Sequence, residues 1–141
     1  MGIDNEVTVV MLGRSLNEAF ARMVISAFIA PLDPTIEELT DVKTAVSEAV
    51  TNAIIHGYES GGGDVTMNCI LKSDLLIVTV SDDGVGIEDI EEAMKPLFTS
   101  KPDMERSGMG FSIMQSFMDE LHVISEKGRG TKIIMTKKMR R

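Results

Sequence analysis

"SEAVTNAIIH", residues 47–56, is the stretch on which the reading of this chain turns. Ala45, Val46, Ala49, Val50, Ala53 and Ile54 give it the apolar character of a buried helix. Glu48, Asn52 and His56 nevertheless recur at every fourth position. At about 100° per residue, that spacing stacks a carboxylate, an amide and an imidazole along one helical face. A helix packed only for stability has no need of such a file.

Outward from this helix the elements follow by pattern. Gly57 is a natural C-terminal residue for it. Upstream, "DPT" restarts the chain after a break at Pro31, with Asp33 expected as N-cap and Pro34 at the first helical position. "SLNE", Ser15 to Glu18, has capping-box spacing and opens an earlier helix through Phe20, Met23, Val24, Ala27 and Phe28. "EVTVVML", residues 6–12, reads as a strand. Downstream, "GGG" at 61–63 leads into two β runs, 64–72 and 75–81, joined by a turn at Lys72-Ser73-Asp74. A short acidic helix is expected over 88–94 and another helix over 110–121. Strands near 122–127 and 131–137 flank a turn at "GRG". The segment 96–109 is long and weakly periodic, which suggests a functional lid. The order β-α-α-β-β-α-α-β-β predicts an α/β (α+β) two-layer sandwich. Its sheet is expected to be mixed, mostly antiparallel, with helices on one face.

Composition bounds the possibilities. A chain of 141 residues fits one domain spanning 1–141 and can bury a real core. A net charge of -8 argues against general binding to nucleic acid or to anionic membranes. Four of the last five residues, 137–141, are basic and read as a solvated tail. No signal peptide and no membrane-spanning run is apparent. The single cysteine, Cys69, alternates with Val65, Met67 and Leu71 and reads as a buried strand thiol, so a cytoplasmic setting fits best.

Three glycine motifs add chemistry, and each alone leaves a bland reading open. "DDGVGI", Asp82 to Ile87, suits an ordinary strand-ending turn. It also suits a base-binding pocket: Asp82 offers a fixed acceptor for an exocyclic amine, and Gly84 and Gly86 let a flat ring approach the backbone. "SGMG", Ser107 to Gly110, is either a flexible helix entry or a place where backbone N–H groups meet a polyphosphate. "GRGT", Gly128 to Thr131, is a hairpin by pattern, and Thr131 stands beside Asp82 if their strands are neighbours. In this setting Asn52 carries an amide oxygen suited to Mg²⁺, and Glu48 can accept a proton in phosphoryl transfer. From spacing alone, both residues equally suit a solvated helix edge. His56 fits a structural cap better than a catalytic role, and His122 carries no signal.

Taken in order, E-x-x-x-N, D-x-G-x-G, S-G-M-G and G-x-G-T resemble the ATP-binding (Bergerat-type) domain of gyrase-type ATPases, Hsp90, sensor histidine kinases and MutL. "VSEAVTNAIIHGY", "SDDGVGI", "PLFTSKPDMERSGMGFSIM" and "NEAFARMVISAFIAPLDPT" further resemble the anti-sigma kinases of endospore-forming bacteria. That family implies ATP and Mg²⁺ as cofactors, with Asn52 as metal ligand and Glu48 as general base. It implies that Asp82, Gly84, Gly86 and Thr131 line the adenine pocket. Thr99, Lys101, Ser107, Gly108, Met109 and Gly110 would surround the phosphates, with Arg106 stabilising the transferring group. It implies that Glu18 and Arg22 on the first helix meet a protein partner.

The implied activity is that of an ATP-dependent protein serine kinase. It would inhibit a sporulation sigma factor and phosphorylate an anti-anti-sigma protein. Neither histidine has the setting of a phosphoacceptor, and the chain leaves no room for a transducer domain, so the acceptor is expected on another protein. The anti-sigma kinases of the general stress response remain an alternative. So does a nucleotide-dependent inhibitory module without useful catalysis, which would not need Glu48. The first helix carries Phe20, Met23, Val24, Ile25, Phe28 and Ile29 over a wide arc. This suits either a fully buried helix or a self-association face, and the resemblance favours a homodimer built on the first strand and helix.

Overall fold

The structure, a computed structural model, describes residues 2–57, 63–84, 86 and 110–139, with 56 and 57 described as backbone only. Five strands form one sheet: β1 (Asn5–Leu12), β2 (Asp64–Lys72), β3 (Leu75–Asp82), β4 (Glu120–Glu126) and β5 (Gly130–Lys138). Their spatial order is β1-β2-β3-β5-β4, and among the described residues every pairing is antiparallel, where a mixed sheet was expected, because consecutive strands are joined by hairpins or pair edge to edge in opposite directions. The helices are α1 (Asn17–Ile29), α2 (Ile36–Asn52) and α3 (Gly110–Phe117). A 3₁₀ turn, Ala30–Leu32, follows α1, and a π-helical turn, Ala53–Gly57, follows α2. The expected helix over 88–94 and the expected lid over 96–109 lie outside the described residues.

Strand alternation sets the two faces. Val65, Met67, Cys69 and Leu71 on β2 and Leu76, Val78 and Val80 on β3 are buried against the helices. The residues between them are half-buried or exposed. This is the period-two pattern of a sheet covered on one side. α2 runs between α1 and α3 and buries Val42, Ala45, Val46, Ala49 and Val50. Its small and β-branched residues allow close packing. Cys69 is fully enclosed, and burial pushes its thiol up to about 12.

Several local expectations are corrected. The Ser15–Glu18 capping box does not form: Leu16 occupies the N-cap position with no side-chain cap. Backbone turns from Asn17 to Arg14 and from Glu18 to Ser15 already use those N–H groups. Glu18 is left to reach α2 instead. Asp33 is not the cap of α2. It closes the 3₁₀ turn in a left-handed conformation, φ 52°. The cap is Thr35, whose Oγ1 accepts from the Glu38 N–H at 3.0 Å while the Glu38 carboxylate accepts from the Thr35 N–H at 2.9 Å.

The basic tail is held at Lys137 and Met139, while Lys138 between them is exposed. Lys137 lies in β5 and donates to the Phe117 carbonyl at 2.8 Å, covering the end of α3. Met139 is buried, and its N–H meets the Asp74 carbonyl.

Because Thr35 satisfies an N–H that the helix itself cannot, Thr35→Ala is expected to lower stability by about 1 kcal/mol. Denaturant unfolding with an unchanged slope will measure this. No loss would show that water replaces the cap fully.

Candidate functional site

The site begins with one row of the sheet. Val65 pairs with Asp82, Asp82 with Thr131, and Thr131 with Ser125, crossing β2, β3, β5 and β4. The neighbourhood of Thr131 and Asp82 anticipated from sequence is therefore present. Both residues are buried, Asp82 at 7% exposure and Thr131 at 6%. They are the buried polar residues in a helix-facing layer that is otherwise apolar among the described residues. Thr131 Oγ1 lies 2.8 Å from Ser125 Oγ, and Ser125 also donates to the Gly130 carbonyl at 3.0 Å.

Ser125 is a member of this polar row that reading the sequence did not single out. Its only signal is the alternation of Leu121, Val123 and Ser125 on the inner side of β4.

Asp82 Oδ1 accepts the Gly84 N–H at 2.9 Å. Its carboxyl is nonetheless held above the ordinary carboxylate value. Burial is the main cause, opposed by the Gly84 N–H, reinforced by the charge of Asp83, and opposed again by the Thr131 N–H. The site thus holds an acceptor removed from water and incompletely compensated by backbone donors. Such a group favours a ligand that brings an N–H.

Two glycines permit this packing. A Cβ on Gly130, φ 91°, would run into the Asp82 carbonyl oxygen. A Cβ on Gly86, φ 76°, would run into the carbonyl oxygen of Glu126 in the β4–β5 hairpin. Gly86 therefore has a structural cause besides the approach of a ring: its own backbone lies directly against that hairpin.

The second part of the site comes from α2. Glu48 and Asn52 are half-buried, one turn apart, and Asn52 is the last α-helical residue. The four-residue repeat ends there because the backbone widens into the π turn Ala53–Gly57, which contains His56. That turn packs against β3 and β5. The end of α2 carrying Asn52 is therefore brought to the strands carrying Asp82 and Thr131.

Gly84, Gly86 and Gly110 are described, Gly110 as the first residue of α3. Thr99, Lys101, Arg106, Ser107, Gly108 and Met109 lie outside the described residues. Arg22 sits half-exposed on α1, with its guanidinium 3.4 Å from Glu18 Oε1. The Glu18 carboxylate is turned toward α2, accepting from Ser47 at 2.9 Å and from Thr51 at 2.5 Å.

A helix-covered antiparallel sheet, with a buried Asp–Thr row near the end of α2 that carries Asn52, is the fold of an ATP-binding domain of the histidine kinase type. The sequence profile of the histidine kinase-like ATPase domain matches residues 14–137. An anti-sigma F factor of Clostridium perfringens (strain SM101 / Type A) is 61% identical over 138 residues, covering 97% of this chain and 99% of that protein. An anti-sigma F factor of Clostridium acetobutylicum is 58% identical over 136 residues, covering 96% and 95%. The chain belongs to the anti-sigma F factors, within the histidine kinase-like ATPase family.

The fold is shared with the solved structure of the RsbU and RsbW domains of Rv1364c from Mycobacterium tuberculosis, at TM-score 0.71 and 17% identity. That match covers 97% of this chain and 33% of the other.

The raised Asp82 carboxyl has a sign that can be checked. The charged form is penalised in the folded state, so the penalty is absent at low pH. It grows as pH rises from the ordinary value of 3.8 through the raised one. In nucleotide-free protein, the melting temperature of Asp82→Asn relative to the parent is expected to rise between about pH 3 and pH 7. A difference that stays flat across that range would mean that Asp82 carries no burial penalty.

Proposed function

We propose that this protein binds ATP with Mg²⁺, phosphorylates a serine of an anti-anti-sigma protein, and inhibits a sporulation sigma factor. The observation that carries the reading is the buried Asp82–Thr131 pair, joined through the π turn to the end of α2 that bears Asn52. Asp82 would accept the adenine amine, with Thr131, Gly84 and Gly86 completing the pocket. The donor set fits a nucleotide on its own chemistry: a dehydrated carboxylate lacks donors, and the amine supplies one.

Asn52 would contribute its amide oxygen to Mg²⁺, a hard cation that takes oxygen ligands. When bound, Mg-ATP supplies the transferable phosphoryl group and neutralises charge on it. Glu48, one turn from Asn52, would take the proton of the attacking serine hydroxyl. The lid residues Thr99, Lys101, Arg106, Ser107, Gly108, Met109 and Gly110 would hold the phosphates, with Arg106 facing the developing charge.

The relatives' names speak for the sigma factor as one partner. Arg22, half-exposed on α1, suits contact with an acidic protein group. We also propose a homodimer built on β1 and α1. Val10 and Leu12 on the edge strand are 62% and 54% exposed, and Leu16, Phe20 and Met23 on and before α1 are 72%, 50% and 67% exposed. These exposed apolar side chains lie on both sides of the β1 edge, where an interface built along that edge would cover them. Function in the cytoplasm, as one domain over 1–141, belongs to the same reading. Among the described residues no helix is long and apolar enough to cross a membrane.

The test is incubation with Mg-ATP and an anti-anti-sigma protein, followed by mass spectrometric location of the phosphate. Phosphate on a serine of the partner supports the reading. Tight nucleotide-dependent binding with no transfer would favour the purely inhibitory module. Glu48→Gln is expected to retain ATP binding and to slow transfer by roughly 10²–10⁴-fold. Near-parental transfer would remove Glu48 from the role of base. Asn52→Ala is expected to weaken ATP binding in Mg²⁺ more than in EDTA, as titration calorimetry will read. Equal weakening in both would remove the metal role.

A further inference from the structure

We propose that Glu18 is a positioning residue that locks α1 to α2 and holds Glu48 and Asn52 in register for phosphoryl transfer. The inference deepens the kinase reading and rests on it for the roles of Glu48 and Asn52.

The geometry is specific. One carboxylate on α1 takes a hydroxyl donor on each oxygen: Ser47 on Oε1 at 2.9 Å and Thr51 on Oε2 at 2.5 Å. Ser47 and Thr51 are one turn apart on α2. They immediately precede Glu48 and Asn52 in the chain. Two parallel files therefore run along the helix, about 100° apart, one facing α1 and one carrying the proposed chemistry. A bracket gripping the first file at two points fixes both the rotation of α2 and its displacement along the axis. The second file moves as the first does.

Packing alone does not ask for this arrangement. Serine and threonine are weaker helix formers than alanine. Mid-helix, their hydroxyls commonly fold back onto the carbonyl four residues earlier. Ser26 on α1 does this, donating to the Arg22 carbonyl at 2.7 Å. Ser47 and Thr51 instead donate across the helix interface to a carboxylate.

The same Oε1 also accepts from Arg22 Nη1 at 3.4 Å, a long contact with the Arg22 side chain 42% exposed. The bracket's outer end is therefore a surface cation, and its inner end lies beside the two site residues. Interactions with a charged acceptor are the stronger kind of hydrogen bond. Two of them on rigid helices are suited to hold a position that transfer chemistry is sensitive to.

The variant that isolates this role is Ser47→Ala combined with Thr51→Val, which removes both donors and leaves the exposed surface of α1 untouched. Transfer to the anti-anti-sigma protein at saturating substrates is expected to fall about tenfold, because displaced catalytic groups lose rate steeply. KM for the acceptor is expected to stay within about twofold, since binding surfaces are unchanged. Thr51→Ser, which restores a donor, is expected to retain the rate. Adding Glu18→Gln to the double variant is expected to lower the saturating rate no further, because the three side chains act there as one unit.

A purely structural bracket would lower the melting temperature and leave the saturating rate intact, and that result would overturn the proposal. Independent, multiplying losses would also overturn it. A second readout separates this inference from the kinase reading: the ratio of ATP affinities in Mg²⁺ and in EDTA. If the parent protein transfers no phosphate, the kinase reading fails. The positioning role is then still judged by that ratio, which must shrink severalfold in the double variant. An unchanged ratio would overturn it.

Discussion

The close approach of β3 and β5 at Asp82 and Gly130 is the constraint on which the nucleotide end of the sheet depends. Only a residue without a Cβ can sit at 130, because any side chain would meet the Asp82 carbonyl oxygen. That contact sets Thr131 opposite Asp82 and brings the β4–β5 hairpin against the loop containing Gly86. It also encloses the Asp82 carboxyl, which raises its affinity for a proton. The pocket is therefore a product of a long-range pairing between the middle and the end of the chain. A protein lacking its last hairpin would have the motif D-x-G-x-G and no site, since water would solvate Asp82 and nothing would oppose it.

Strands and hairpins were legible because they are governed by local pattern. Alternation gave the buried face of β2 and β3, and the Lys72-Ser73-Asp74 turn formed where expected, with Ser73 at φ 58°. The file of Glu48 and Asn52 was legible from helical periodicity. The capping errors have a different origin. "SLNE" and "TIEE" have the same box spacing, and the sequence around each supports a cap equally. At Thr35 the Glu38 side chain accepts the Thr35 N–H, and the box closes. At Ser15 the Glu18 side chain finds two hydroxyl donors on α2, far along the chain, and the local pattern loses to them. The end of the chain was misread for the same reason. Lys137 and Met139 are held by Phe117 and Asp74, partners that a run of basic residues does not announce.

The wide apolar arc of α1 divides in the fold. Ala21, Ile25, Phe28 and Ile29 face the core, while Phe20 and Met23 face outward at half exposure or more. It is therefore not the fully buried helix that the arc also allowed, but a core helix with a second, exposed apolar side. Val10 and Leu12 are exposed on the opposite face of the sheet, on the strand that stands at its edge among the described residues, and an edge strand invites pairing. A surface of this kind is costly for a monomer to expose. Leu12 lies at the same end of the sheet as Asp82, two strands away, since its neighbour Met11 pairs with Val65 and Val65 with Asp82.

α2 shows how one helix serves these demands together. Its Ala and Val file lies against the sheet, the Ser47 and Thr51 file holds α1, and the Glu48 and Asn52 file stays half-buried and polar. Three files fit because the buried residues are small, so α2 can be flanked by α1 and α3 without a wide apolar stripe. A larger residue at Ala45 or Ala49, both fully buried, would force α2 away from the elements packed against it. The π turn then ends the regular repeat directly after Asn52. Widening the helix there releases the backbone from the α-helical repeat, next to the row that holds Asp82 and Thr131. The polar file that first seemed out of place in an apolar helix is thus the edge left over when its other two faces are fully used.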